Sequence, residues 1–173
     1  MAKSTLISHI ADAIQLQSLV NSSYIAIGKS SAWPDDSNPP LEDENITSIS
    51  EIIGYKKVSQ FSLARPLASG ETTVYPVVTY SSQRYALVPV DKAYEQKARW
   101  LYAEASITID DFPVNQYRQV GLYTGLVPVS GVTKQNLLPS EVANPGILRY
   151  FENNEPTYMT SSTTSTEQFL IKI

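Results

Sequence analysis

Residues 103–126, AEASITIDDFPVNQYRQVGLYTGL, decide the fold class. Ala103, Ala105, Ile107 and Ile109 are apolar and alternate with Glu104, Ser106, Thr108 and Asp110, the period-two pattern of a strand with one buried face. Asp111, Pro113 and Asn115 then break the run, because proline fixes its own torsion and Asp and Asn bond their own backbone in turns. Residues 117–126 resume as an extended segment. Two core strands joined by a short ordered loop are therefore predicted, with Phe112 and Val114 tucking the loop onto the core.

Working outward, the N-terminal side opens with Leu6, Ile10, Ala13 and Ile14 at helical spacing behind Ser4, which predicts an amphipathic helix over residues 5–16 with Ser4 as its N-cap. Residues 22–29 form an apolar run closed by Gly28 and read as a buried strand. Residues 30–45, SSAWPDDSNPPLEDEN, carry three prolines and five acids; they predict an ordered surface loop that Trp33 can anchor. Ser48 and Glu51 have the spacing of a capping box, so one or two helical turns are expected before Gly54. Residues 55–63 read as one strand. Residues 72–80 and 84–90 read as a hairpin joined by Ser81, Ser82 and Gln83, with Pro76 directing its first arm to a sheet edge. A polar helical turn is expected within residues 91–97.

On the C-terminal side, residues 127–145 read as loop, residues 147–151 and 157–160 as short strands separated by a turn at Asn153, Asn154, Glu155 and Pro156, and SSTTST as a flexible connector. Residues 166–173 close the chain as an apolar strand paired into a sheet. The predicted fold is mainly β: a β-sandwich core with a short N-terminal helix and long ordered loops, in a single domain over residues 1–173.

Composition narrows the function. Charged residues make up 17% of the chain, below the usual quarter, while eleven Tyr, eleven Pro and many Ser and Thr give it an uncharged polar surface. The net charge is −4 with Lys and Arg scattered, so no electrostatic footprint for a phosphate backbone exists and nucleic acid is not expected as a partner. The absence of cysteine excludes disulfides, thiol nucleophiles and thiolate metal sites. Ser8, His9, Asp12, Gln15 and Gln17 interrupt the first twenty residues, and no run reaches membrane-spanning length, so no membrane partner is expected. The pattern predicts a protein that stays soluble in the cytosol, with export by another route or release by lysis left open.

Candidate chemistry is sparse. His9 is the sole histidine; as a general base or metal ligand it lacks a second imidazole or thiolate, and a helix residue half covered by the sheet is the simpler reading. Asp110, Asp111 and Glu104 suggest paired glycosidase carboxylates, but adjacent strand residues point to opposite faces. Asp35, Asp36, Glu42, Asp43 and Glu44 lack the alternating ligands and glycine of a calcium loop and read as a solvated acidic surface. No phosphate-binding or nucleophile-elbow motif is present, and Gly121 with Gly125 is only a GxxxG spacing in a strand-like run. No catalytic residue, metal or cofactor is therefore expected. The tryptophans and tyrosines favour protein contact over chemistry, with sugar stacking by Trp33 or Trp100 as the other use.

Several segments, taken in order, resemble one family. YIAIGKSSAWPDD at residues 24–36, the pair Pro39 and Pro40, and IIGYKKV at residues 52–58 resemble the opening of the T4-type contractile-tail baseplate wedge subunit, gene-product-eight type. DDFP followed by YRQVGLY at residues 117–123 is similar to a second element of that family. YFENNEP at residues 150–156, with Thr166, Glu167 and FLIKI, is similar to its ending, although Asn154 and Ser165 stand where Arg and Gln are usual. The chain is short for the family, and the region of residues 65–90 lacks an insertion that larger members carry.

The resemblance implies a non-enzymatic structural protein of a phage baseplate wedge, assembled in the host cytoplasm and carried in the virion. It implies a homodimer built on a β-sandwich that bridges neighbouring wedge proteins as the baseplate rearranges. Trp33, Tyr117 and Arg118 are the candidate interface anchors, against core packing for Trp33 and an internal ion pair for Arg118. A neck protein, a fibre adaptor, or a carbohydrate-binding β-sandwich are the alternatives, and a hydrolase comes last.

Overall fold

The computed structural model describes residues 2–173. After helix α1 (Leu6–Gln17) come strands β1 (Tyr24–Gly28), β2 (Gly54–Lys57), β3 (Gln60–Pro66), β4 (Val77–Tyr80), β5 (Gln83–Val88), β6 (Trp100–Thr108) and β7 (Gln116–Thr124). They are followed by β8 (Val127–Pro128), β9 (Asn136–Leu137), β10 (Val142–Asn144), β11 (Ile147–Tyr158) and β12 (Thr164–Lys172). This is the mainly β, sandwich-like class that the strand pattern predicts, with one short N-terminal helix, antiparallel sheets and long ordered loops. No helix is long and apolar enough to cross a membrane among the described residues. The chain divides into two compact units, one holding the N-terminal stretch through Val20, Gln60–Ala103 and Gln168–Ile173, the other Asn21–Ser59 and Glu104–Glu167; β6 and β12 contribute residues to both.

In the first unit, α1 is capped by Thr5, whose hydroxyl accepts from Ser8 N at 3.2 Å, so the helix starts one residue later than the Ser4 cap would place it. It buries Ile10 and Ala13, and Gln17 Nε2 donates to Phe61 O on β3 at 3.2 Å. The sheet to which β3 belongs runs β12-β6-β3-β5-β4. The β4 strand lies at its edge, as Pro76 requires, and the hairpin turn is the two-residue pair Ser81–Ser82, leaving Gln83 inside β5. Ala64, Tyr85, Leu87 and Tyr102 form its apolar cluster, with Trp100 edge-on to Tyr85 at 5.5 Å. The helical turn expected within residues 91–97 is a short 3-10 turn at Val90–Lys92.

In the second unit the sheet runs β11-β7-β1-β2-β9, with β8 and β10 paired separately. Every residue of β1 is buried, as its unbroken apolar run predicts, and eight of the nine residues of β7 are buried as well. Tyr24, Ala26, Ile49, Tyr55, Tyr123, Leu126 and Leu137 form the core, with Tyr55 edge-on to Tyr123 at 5.4 Å. Phe112 is buried, its ring against Gly54, so the loop after β6 is tucked as predicted while Val114 stays half-buried.

Four local expectations fail for identifiable reasons. The span of residues 55–63 is two strands, because backbone bonding changes partner at Val58, whose N–H donates to Ser23 O, and at Ser59, whose N–H donates to Glu104 O. Residues 127–145 are not all loop, since β8 pairs with β10 and β9 pairs with β2. The turn expected at residues 153–156 is a bulge inside the continuous strand β11; pairing shifts between Asn153 opposite Gln119 and Thr157 opposite Tyr117, and Pro156 needs no ladder donor there. The connector SSTTST is shorter than expected, because β12 already starts at Thr164.

Candidate functional site

The chain leaves the sheet at the end of β1 and returns through residues 50–53 before β2. Lys29 N donates to Ser50 O at 2.8 Å and Ile53 N to Ile27 O at 2.9 Å, closing the base of the excursion. Lys29 and Glu51 both stand in the left-handed region, at φ 57 and 47, where a non-glycine residue costs about 1 kcal/mol or more. Their side chains meet, Lys29 Nζ 3.1 Å from Glu51 Oε1. Glu51 also accepts from Ser31 N at 2.9 Å and Ser30 Oγ at 3.2 Å, and from the Ser31 hydroxyl. Hydrogen bonds from the Ser31 side chain and backbone, then those from Lys29 and Ser30, pull its pKa down to about 2. The predicted capping box is therefore not formed. Ser48 Oγ lies 3.2 Å from Tyr123 OH, Ile49 N donates to the same phenol at 3.1 Å, and Glu51 faces the strand end rather than a helix start.

Beyond this base the proline-bearing loop is held at three further points. Arg118 on β7 is 3% exposed; its Nε and Nη2 each bond an oxygen of Asp36 at 2.7 Å, and its Nη1 donates to Ser30 O at 2.7 Å. Asp36 Oδ1 also accepts from Trp33 N at 2.8 Å, and the Arg118 bonds followed by this backbone bond hold its carboxyl below the usual range. The Trp33 indole N–H donates to Asn154 O in the β11 bulge at 3.0 Å, while Lys29 Nζ sits 5.2 Å from its ring centroid. Asn153 donates from its backbone to Glu42 and from Nδ2 to Pro40 O at 2.8 Å, and accepts from Gln119 Nε2 at 2.7 Å. Gln119 in turn accepts from Ser50 N at 2.7 Å. A loop of sixteen residues is thus fixed to β7 and β11 while Leu41 at its tip remains 91% exposed.

The sequence-predicted residues divide. Trp33 and Arg118 come together through Asp36. Tyr117 lies apart: it is 1% exposed, and its hydroxyl donates to Glu167 and lies 2.7 Å from Ser165 Oγ, which also bonds Glu167. Burial first, then the Glu167 charge, raises its pKa far above the ordinary phenol value. Arg118 and Tyr117 therefore direct their polar atoms inward. Asp36, Glu51, Gln119 and Asn153 lie outside the predicted anchor residues; the acidic run is exposed at Asp35, Glu42, Asp43 and Glu44 as expected, but Asp36 holds Arg118, and Asp35 and Asp43 close turns on Ser37 and Asn45. Asp111 pairs with Lys56 at 2.6 Å and caps Thr108 N, so its carboxylate is engaged in holding the loop after β6. His9 is half-buried on α1, and no metal-holding group of three His, Cys, Asp or Glu occurs among the described residues.

The polar groups around Asp36, Glu51 and Asn153 thus fix a proline-bearing loop onto the sheet of a mainly β protein. A family model described as baseplate wedge 3 tail fiber network component matches residues 1–173, and the chain belongs to that family. It is 39% identical over 171 residues to "Virion protein 3" of Enterococcus phage phiEF24C, a match covering 99% of this chain and 94% of that protein. The chain is thus a structural component of a phage tail, related to the baseplate, which is the broader content of the resemblance seen in its sequence.

Proposed function

We propose that the chain is a baseplate wedge subunit of the gene-product-eight type in a contractile tail, bridging neighbouring wedge proteins as a homodimer and catalysing nothing. The observation that carries this reading is the fixed loop of residues 30–45. Its shape is set by Arg118 and Asp36, by Glu51 and by the Trp33 indole, so little conformational entropy remains to be lost when a neighbour docks on it. In this reading Trp33, Arg118 and Tyr117 serve the interface by holding the presenting surface rather than by crossing it. Assembly in the host cytoplasm precedes incorporation into the virion.

The words "tail fiber network" in the family's description favour a second reading, an adaptor between baseplate and fibres. Gold-labelled antibody on intact and contracted particles, together with co-purification of tagged chain with co-expressed wedge proteins, separates the two. Label at the end of the tail with wedge proteins retained is the expected result. Label along fibres, with fibre proteins retained instead, would reject the wedge assignment. The folded variant Arg118→Lys should lose wedge proteins from the pull-down; full retention would remove the role given to the loop.

A further inference from the structure

The first unit holds a pocket of about 610 Å³ that the loop-based function does not use. Trp100 forms an aromatic wall, and Arg65, Lys97, Arg99 and Lys172 line it against a single carboxylate, Glu95, in a chain whose net charge is −4. The cations differ in how far they are already engaged. Arg65 is bound to Glu71 at 2.6 Å and Gln96 at 3.0 Å, and Arg99 Nε donates to Ile173 O at 2.9 Å. Lys172 is exposed, with its ammonium 5.6 Å from the Trp100 ring centroid. Lys97 is exposed and makes no side-chain hydrogen bond or ion pair with the described residues. Lys97 also stands at φ 53, a position glycine would fill with less strain. A strained backbone therefore presents an unneutralised cation at the rim of an aromatic pocket.

Two free ammonium groups are too few to grip a polyphosphate backbone, and they suit a short segment with two or three carboxylates. Such a segment exists in the chain itself. Residues 41–44 read Leu-Glu-Asp-Glu, all exposed, with Leu41 at 91%. Contacts of Pro40 and Glu42 with Asn153 hold this segment on β11 in its own unit, and it contributes nothing to the lining of the pocket. We infer that the Trp100 pocket receives residues 41–44 of a second copy, Leu41 against the indole and Asp43 and Glu44 facing Lys97 and Lys172. This names the surfaces behind the homodimer proposed above and rests on that reading.

Charge exchange tests it on the full-length protein. One variant carries Lys97→Glu and Lys172→Glu, the other Asp43→Lys and Glu44→Lys; all four side chains are exposed, and unchanged circular dichroism would confirm both folds. In sedimentation equilibrium the wild type should self-associate and each variant alone should do so roughly tenfold or more weakly. An equimolar mixture of the two should regain the wild-type affinity, because the mixed dimer pairs an acidic pocket with a basic segment at one contact and keeps the wild-type pairing at the other. Lys97→Gly should raise Tm while weakening association. A wild type that stays monomeric would overturn the homodimer reading together with this contact. A wild type that associates while the variants match it, or weak variants that mixing does not restore, would overturn the contact alone.

Discussion

The Arg118 guanidinium and the Asp36 carboxylate, 82 residues apart in sequence, meet through two 2.7 Å bonds, Nε to Oδ1 and Nη2 to Oδ2. The third face of the guanidinium is on Ser30 O, so one buried side chain fixes both the start and the middle of the loop. A lysine at position 118 keeps the charge but not the fork of donors. Arg118→Lys is expected to lower Tm by roughly 5 °C and to raise amide hydrogen exchange over residues 30–40 while leaving β1 and β2 protected. Exchange equal to wild type in the loop would show that the remaining contacts suffice without Arg118.

Acid should loosen the same loop. A carboxylate whose folded pKa lies below its unfolded value stabilises the fold above the unfolded value, and that gain disappears as pH falls through the folded one. For Glu51 the window runs from the usual carboxylate range down to about 2, and Asp36 and Asp111 are shifted in the same direction. Tm measured by calorimetry should be flat near neutrality and fall between about pH 4.5 and 2. Glu51→Gln should start lower at pH 7 and fall less steeply. Parallel curves for the two proteins would remove Glu51 from the account.

Close packing at β2 gives a third test. A Cβ on Gly54 would lie 2.1 Å from Cε1 of the buried Phe112 ring, so the ring must move or the strand must shift. Gly54→Ala is expected to destabilise the protein by roughly 1–3 kcal/mol in urea unfolding. Because the two sites touch, Gly54→Ala with Phe112→Ala should cost less than the sum of the single changes. Strict additivity would show that the ring does not pack there.

The Phe112 contact was legible in the sequence because an apolar residue inside a turn after a period-two strand has one natural place to go. The mainly β class, the hairpin around Ser81 and Ser82 and the anchored proline loop were legible for similar local reasons. What was missed depends on partners distant in the chain. Ser48 and Glu51 carry a capping-box spacing, but the Tyr123 phenol takes Ser48 and Ile49 and the residues around Lys29 take Glu51, so no helix starts. Asp36 looks solvated like the rest of its acidic run until β7 brings Arg118 onto its carboxylate, while Asp35, Glu42, Asp43 and Glu44 do stay exposed. Asn153 and Pro156 are turn formers by composition, yet the pairing of β11 with β7 on both sides of them absorbs the irregularity as a bulge.

The β4–β5 hairpin offers a change that should stabilise rather than harm. Ser81 and Ser82 occupy the two central positions of the turn, at φ 45 and 67, and both side chains are exposed. Two successive positive φ values match the twist of the flanking strands, but serine reaches them against its own steric preference, whereas Asn followed by Gly adopts them readily. Replacing both residues, Ser81→Asn with Ser82→Gly, removes strain from the folded state without touching a packed atom. It should add about 1 kcal/mol of stability, a rise in Tm of roughly 2–4 °C for a chain of this size. Glycine also widens the unfolded ensemble, which sets a limit on the gain, so Ser81→Asn alone should retain a good part of it. A lower Tm for both variants would mean that the serine turn carries no such strain. A gain in both would identify the turn as a site where stability can be raised without altering the loop of residues 30–45 or the pocket around Trp100.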